Sequence, residues 1–576
     1  MKTRSLILYA VIQSAITALT SCQSFPVVST PSGPIKGVVV PTLGMDIVQF
    51  RNIPYAKPPV GNLRFEKTLP VEPWTETLDG TSFGPSCIQD LTLFAELWAK
   101  ADKHEVSEDC LQLNVYVPTA VSTEVKKPVM VWIHGGAFVM GNSWGYDPSF
   151  LVMKDVIVVT INYRLGILGF LNTEDSTLPG NVGLWDAIEA LKWVNKNIAA
   201  FGGDPESVTI FGESAGGFAV SYLAIIPSTA GLFQRIIPQS GSAVGFVGVD
   251  RNPARFAKSA GKTVGCIDSD NDDVNNKLLI ECLKTKSTDE LLKTQEESAA
   301  FDRDAFTLVP QLWPGIDGEL IKRLPLDSLN DPNSEESVYF RSLDMMTGTT
   351  SYEGNAIPLV VEGFQESMEF NASEGIPTSV LCDLVAPTVA REMFEDDTIV
   401  SDLLCQEYTS DDLAQQSRNI ASLFGDAWFV SPAVRLLDFH ARGKTSPNTY
   451  HYVFSKPVDM SFVYLPEYPW MEGAVHGAEL LYMFGPTFFN EMSESVSTEE
   501  GRALTDILVT YWTNFAKSGN PNGDGLIKWK QFTTEDRDYL ELTDKPVPGQ
   551  NLYGKRMKFL LQDVPDKLKD RVKTEL

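Results

Sequence analysis

The segment Gly212-Glu213-Ser214-Ala215-Gly216-Gly217 sets a serine among small residues directly after the run Ser207-Val208-Thr209-Ile210-Phe211 and before the helix-like stretch Phe218 to Ile226. A serine hydroxyl is a poor nucleophile unless a base reaches it. A sharp strand-to-helix turn lifts it clear of a sheet, and flanking glycines let other backbone come close. The pattern reads as a nucleophile elbow, with Ser214 as the attacking group of an acyl transfer. Acyl transfer also needs donors for the developing oxyanion. The run Val131-Trp132-Ile133 ends in His134-Gly135-Gly136-Ala137, where small side chains leave N–H groups free; two of these, with the N–H of Ala215, make a three-donor hole. A plain glycine turn would explain the glycines but not their place upstream of the elbow.

The base follows by elimination. Five histidines occur, and behind an elbow of this kind the partners come in the order serine, acid, histidine, which leaves His440, His451 and His476. His440 falls in the helical pattern Val434 to Arg442 and His451 alternates within the strand-like Tyr450 to Phe454, so both read as structural. His476 sits in the small-residue loop Gly473-Ala474-Val475-His476-Gly477-Ala478, where an imidazole can reach a nucleophile unobstructed. For the acid that orients it, Glu353 in Gly348-Thr349-Thr350-Ser351-Tyr352-Glu353-Gly354 has the best context. Asp344, Asp317 and Asp426 are rivals that spacing does not separate.

These residues must be positioned by elements. Val129 to His134, Asp155 to Asn162 and Val208 to Phe211 look like buried strands, while Leu184, Ala187, Ile188, Leu191, Val194 and Ile198 recur at helical spacing. Strands alternating with helices imply a large, mostly parallel central sheet flanked by helices, with its site at the carboxyl ends of the strands. At 576 residues a length prior allows three or four domains, but no repeat, low-complexity tract or polar linker divides the chain. Apolar residues at 43% exclude a largely disordered protein. With 47 basic against 75 acidic residues, the net charge of −28 repels nucleic acid and anionic membranes.

Lys2 and Arg4 lead into the apolar run Leu6 to Leu19, followed by Thr20, Ser21 and Cys22, the pattern of a cleaved secretory leader over residues 1–22 with residues 23–576 as one catalytic domain. A lipobox at Leu19-Thr20-Ser21-Cys22 is the competing reading. No later run reaches about 18 uninterrupted apolar residues, so no integral membrane segment is expected. The ending Lys573-Thr574-Glu575-Leu576 is similar to the tetrapeptide that returns proteins to the endoplasmic reticulum lumen, although Thr574 departs from the usual acidic residue. Beyond Cys22, six cysteines fall into local pairs, Cys87 with Cys110, Cys266 with Cys282 and Cys382 with Cys405; spacing alone allows other connectivities, and free buried thiols are the alternative. Asn371-Ala372-Ser373 is a glycosylation sequon. No C-x-x-C or His-rich spacing points to a metal, and the chemistry above requires no cofactor.

Taken together, these motifs resemble the type-B carboxylesterases and cholinesterases of the α/β-hydrolase fold. Phe201-Gly202-Gly203 with Val208 to Gly216 is similar to the family's serine signature, Glu108-Asp109-Cys110-Leu111-Gln112-Leu113-Asn114-Val115 to its second signature, and Ile53 to Gly61 with Arg64-Phe65 to its N-terminal pattern. The resemblance runs from about residue 27 to about 560 and replaces the multi-domain prior with one domain. It implies Ser214 as nucleophile, Glu353 as acid, His476 as base and Gly136, Ala137 and Ala215 as oxyanion donors, and it supports the first two disulfides. Ala137 stands where relatives usually carry a third glycine. The implied activity is hydrolysis of a small-molecule carboxylic ester through an acyl-enzyme, with a cholinesterase and a non-catalytic adhesion protein as alternatives. Trp98 lies in the Cys87–Cys110 loop, where cholinesterases bind quaternary ammonium on a tryptophan face, but it stands about two residues too far from Cys110. Neutral short- to medium-chain esters are therefore the expected substrates.

Overall fold

A computed structural model describes residues 25–91, 105–118, 125–268, 274–297, 312–395, 398–442, 447–458, 468–484 and 494–575. The leader, Trp98 and Leu576 lie outside the described residues.

An 11-stranded sheet organises the molecule. Its strands are β1 (Val38–Thr42), β2 (Met45–Pro54), β3 (Gln112–Pro118), β4 (Lys127–Ile133), β5 (Ile157–Ile161), β6 (Gly203–Glu213), β7 (Arg235–Gln239), β8 (Asp344–Thr350), β9 (Thr449–Phe454), β10 (Asp538–Leu542) and β11 (Val547–Gln550). In space they run β11-β10-β9-β8-β7-β6-β4-β5-β3-β2-β1. Every pair from β5 across to β10 is parallel. Antiparallel strands close both edges, β3, β2 and β1 beyond β5 and β11 beyond β10.

The parallel centre is buried on both faces, which is why its strands read as continuous β-branched runs. Along β4, Val129, Val131 and Ile133 enter one core while Met130 and Trp132 enter the other. The first core is filled by helices α1 (Val182–Asn197) and α2 (Ala215–Ala224), among others. β6 begins earlier than the apolar run predicts, because Gly203 pairs with Lys127 before a register shift at Val208.

Helix α3 spans Leu413–Ala441 and contains a π-helical turn at Asp426–Val430. Among the described residues it alone is long and apolar enough to cross a membrane, but its apolar stretch is 89% buried against the rest of the protein. Polar residues such as Asp426 interrupt it, so a search for uninterrupted apolar runs passes over it. Helix α4 (Glu499–Ser518) contributes Leu504, Leu508, Trp512 and Phe515 to the opposite core. All three neighbouring cysteine pairs are bonded, Cys87–Cys110, Cys266–Cys282 and also Cys382–Cys405, for which family resemblance offered no support. Asn371 is exposed.

Candidate active site

Ser214 stands between β6 and α2 with φ 56° and ψ −126°. This places a non-glycine residue in a sparsely populated region of backbone space. Its N–H donates to the Gln239 carbonyl at the end of β7 (3.0 Å). The turn fits because Gly216 and Gly135, which pack closely around it, have no side chain. A Cβ on Gly216 would lie 2.0 Å from the Ile133 carbonyl, and one on Gly135 would lie 2.7 Å from the Glu213 carbonyl and 3.2 Å from the Ser214 Cβ. The glycines of both motifs thus let the loop after β4 rest against the serine.

Gly136 and Ala137 both have positive φ, 109° and 52°. At position 137 a methyl group therefore occupies a left-handed conformation that costs an L-residue roughly 1–2 kcal/mol. Neither residue gives its N–H to a turn or loop carbonyl among the described residues. Ala215 is the first residue of α2, where an N–H has no intrahelical acceptor.

Glu353 and His476 meet across two loops at the carboxyl edge of the sheet. The His476 Nδ1–H donates to Glu353 Oε2 at 2.5 Å. Backbone pairing fixes that distance: Tyr352 bridges Val475, the Tyr352 N–H donates to the Ala474 carbonyl (2.9 Å), and the His476 N–H donates to Asn355 Oδ1 (3.0 Å). The other carboxylate oxygen, Oε1, accepts from the Ser240 hydroxyl and the Thr350 N–H, both at 2.6 Å. Behind the acid, α3 packs so tightly that a Cβ on Gly354 would lie 1.8 Å from the Ala421 carbonyl. The Phe429 ring, carried by the π turn, sits 4.6 Å from the imidazole.

The rival acids are engaged elsewhere. Asp344 pairs with Arg235 (3.5 Å) and accepts from the Asn448 N–H, Asp317 accepts from the N–H groups of Glu319 and Ile321, and Asp426 is held by Arg556 and Tyr408. His440 is buried with Nδ1 on Thr449 Oγ1 and Nε2 on the Leu343 carbonyl. His451 is buried between Phe532 and Tyr539.

Two buried carboxylates join the imidazole that spacing did not single out for this role. Glu213 Oε1 lies 3.1 Å from His476 Nε2. Glu479, three residues after the base, accepts from Gln239 Nε2 (3.0 Å), and Gln239 Oε1 in turn accepts from Trp512 Nε1 (3.1 Å). Burial pushes the Glu213 carboxyl up to about 8 and Glu479 up to about 7, the charge of Glu353 adding to both. For His476 burial opposes the imidazolium, but Glu213, Glu353 and Glu479 outweigh it and push the imidazole up to about 9. Among the described residues no cluster of His, Cys, Asp or Glu could hold a metal ion.

An elbow serine and a histidine–carboxylate pair at the carboxyl edge of a mostly parallel sheet flanked by helices define an α/β-hydrolase. The chain belongs to the carboxylesterase family, whose model matches residues 24–560. Similar relatives include the human (Homo sapiens) cocaine esterase, 35% identical over 95% of this chain and 92% of the relative. A medium-chain fatty acyl-CoA hydrolase precursor of Anas platyrhynchos is 33% identical over 99% and 98%, and carboxylesterase 1D of Rattus norvegicus is 34% identical over 95% and 94%. The protein is a carboxylesterase-like carboxylic-ester hydrolase.

A general base must hold a neutral Nε2, so kcat/KM should rise with pH, with a midpoint above the ordinary imidazole value of about 6.5. Glu213→Gln removes the largest charge favouring the imidazolium, which lowers the histidine pKa and should move the midpoint to lower pH in a pH–rate profile. An unmoved midpoint would show that Glu213 does not set it.

Proposed function

We propose that Ser214, His476 and Glu353 act as the catalytic triad of this esterase, with the N–H groups of Gly136, Ala137 and Ala215 holding the oxyanion. The observation that carries the reading is the 2.5 Å bond from His476 Nδ1 to a fully engaged Glu353. Glu353 fixes the tautomer that leaves Nε2 able to accept a proton. As Ser214 Oγ attacks the ester carbonyl, Nε2 takes the hydroxyl proton and the N–H groups receive the negative oxygen. Nε2 then returns the proton to the departing alcohol. Water hydrolyses the acyl-enzyme by the same steps, and the carboxylic acid is released. None of these steps calls on a metal or a cofactor. An adhesion role would need no triad, and all three members are present.

Ser214→Ala, Glu353→Gln and His476→Ala should each yield folded protein with turnover reduced by several powers of ten, since triad members act as a unit. An organophosphate should label Ser214 covalently and leave the alanine variant unmodified. Full turnover in Glu353→Gln would move the acid elsewhere.

Neutral short- to medium-chain esters are the proposed substrates, and one relative is named for medium-chain fatty acyl groups. The kcat/KM for an uncharged butyrate ester should exceed that for butyrylthiocholine. A strong preference for the cation, abolished in Trp98→Ala, would make the protein a cholinesterase.

Three disulfides and a relative named as a precursor are consistent with the secretory pathway. Our reading is that residues 1–22 are removed as a leader, that residues 23–576 form one catalytic domain, that Asn371 is glycosylated, and that Lys573 to Leu576 return the enzyme to the endoplasmic reticulum lumen. Deleting those four residues should release it to the medium. Equal secretion of both forms would make the tail incidental.

A further inference from the structure

Two supports hold the Glu353–His476 pair from outside its own loops, and one short stretch near the end of the chain grips both. The Tyr553 hydroxyl donates to the Ser351 carbonyl (3.3 Å), and the Ser351 hydroxyl accepts from the Ala474 N–H (3.0 Å), so Ser351 joins the acid loop to the base loop. Three residues on, Arg556 pairs with Asp426, the first residue of the π turn in α3: Nη2 donates to Oδ1 (3.1 Å) and Nε stands 2.8 Å from Oδ2. The Tyr408 hydroxyl donates to the same carboxylate (3.1 Å). The Arg556 guanidinium lies over the Tyr553 ring, 4.2 Å from its centroid, and couples the two grips.

Asp426 anchors a segment that touches both members of the pair. Its neighbour Gly425 packs so closely that a Cβ there would lie 3.1 Å from the Glu353 Cβ, and Phe429, three residues on, sets its ring 4.6 Å from the imidazole. Asp426 is 1% exposed, and a carboxylate so enclosed is costly unless paired, so Arg556 and Tyr408 fix its place. The backbone at Tyr553 is an independent sign. Its φ of 47° and ψ of 38° are left-handed, a conformation that glycine takes freely and a bulky residue resists. A tyrosine kept there against strain points to a task for its ring and hydroxyl, since strained residues cluster at functional sites.

We propose that Arg556 and Tyr553 are positioning residues of the ester hydrolysis, holding the π turn and the acid loop so that the His476 imidazole stays in register with Glu353. This role rests on the proposed triad. Each residue acts through another group, Arg556 through Asp426 and Phe429, Tyr553 through Ser351. Acylation and deacylation use the same base, so loosening it slows both, and kcat falls while KM stays nearly constant. Anchoring of the chain end alone would affect stability and leave turnover of the folded enzyme unchanged.

The test is steady-state hydrolysis of an uncharged butyrate ester by full-length protein, well below the Tm of each variant, with kcat expressed per active serine titrated to completion by an organophosphate. Arg556→Met should lower kcat roughly ten- to a hundredfold and leave KM within about twofold, since misplacing a catalytic group by about 1 Å costs up to about a hundredfold. Arg556→Lys, which keeps the charge but not the planar fork, should recover part of the loss. Tyr553→Phe removes a single oxygen, so it serves if Arg556→Met does not fold, and it should lower kcat several-fold with KM again unchanged. Parental kcat per serine in both Arg556→Met and Tyr553→Phe, whatever happens to Tm, would overturn the proposal, as would a loss expressed in KM alone. His476→Ala, measured alongside, separates this result from failure of the triad. If it is inactive while the other variants match the parent, the triad stands and the positioning role falls; if it retains full turnover, the triad falls and the positioning role with it.

Discussion

The backbone at Ser214 is the constraint around which the molecule is arranged. A φ of 56° with ψ −126° costs a non-glycine residue on the order of 1–3 kcal/mol and persists only where the surroundings over-determine it. Here they do: β6 is paired on both sides by parallel strands, the serine N–H is bonded to Gln239, and α2 begins at the next residue. The glycines at 135 and 216 are consequences of that strain, since side chains there would drive the loop after β4 off the turn. Close approach of the two loops is what brings the segment after β4 against the serine turn.

Charge around the imidazole is arranged with similar economy of space. Three carboxylates, Glu213, Glu353 and Glu479, surround a single base, and like charges so enclosed cannot all be ionised without a proton among them. Glu353 is distinguished by its bonds: with Ser240 and Thr350 donating to one oxygen and His476 to the other, its anion is solvated by the protein. Glu213 and Glu479 have fewer partners, and burial pushes both towards the protonated form. The same residue type thus sits among three donors at 353 and is pushed up by burial at 213.

The remaining signature residues brace this arrangement from a distance. Arg64, from the N-terminal motif, forms a two-pronged ion pair with Glu108 of the second signature, at 2.6 Å for each contact, and its third nitrogen donates to the carbonyls of Lys284 and Lys286. One side chain therefore ties the loop closed by Cys87–Cys110 to the segment just beyond Cys282. Arg164 and Asp186 form a similar buried pair between the segment after β5 and α1. Pairs this deeply enclosed add little net stability against apolar replacements, but breaking one partner is expensive, so they penalise misplaced loops.

Local pattern was enough to determine much of this. The elbow lies within ten consecutive residues, strands buried on both faces announce themselves as β-branched runs, and the loop of small residues around His476 separates it from histidines on regular elements. Cysteine pairing was suggested by neighbour spacing but decided only in the structure, where each bridge joins near neighbours. The acid was not decided this way: Glu353, Asp344, Asp317 and Asp426 are all carboxylates between the serine and the histidine. Their partners come from segments far along the chain, Ser240 and His476 for Glu353 but Arg235, Asn181 and Arg556 for the others, and no spacing rule records such contacts. Nor could the sequence show that Glu213 points at Nε2 or that Glu479 is anchored by Gln239. Those facts depend on which side chains the packed sheet and α3 bring together, and only the tertiary structure decides that.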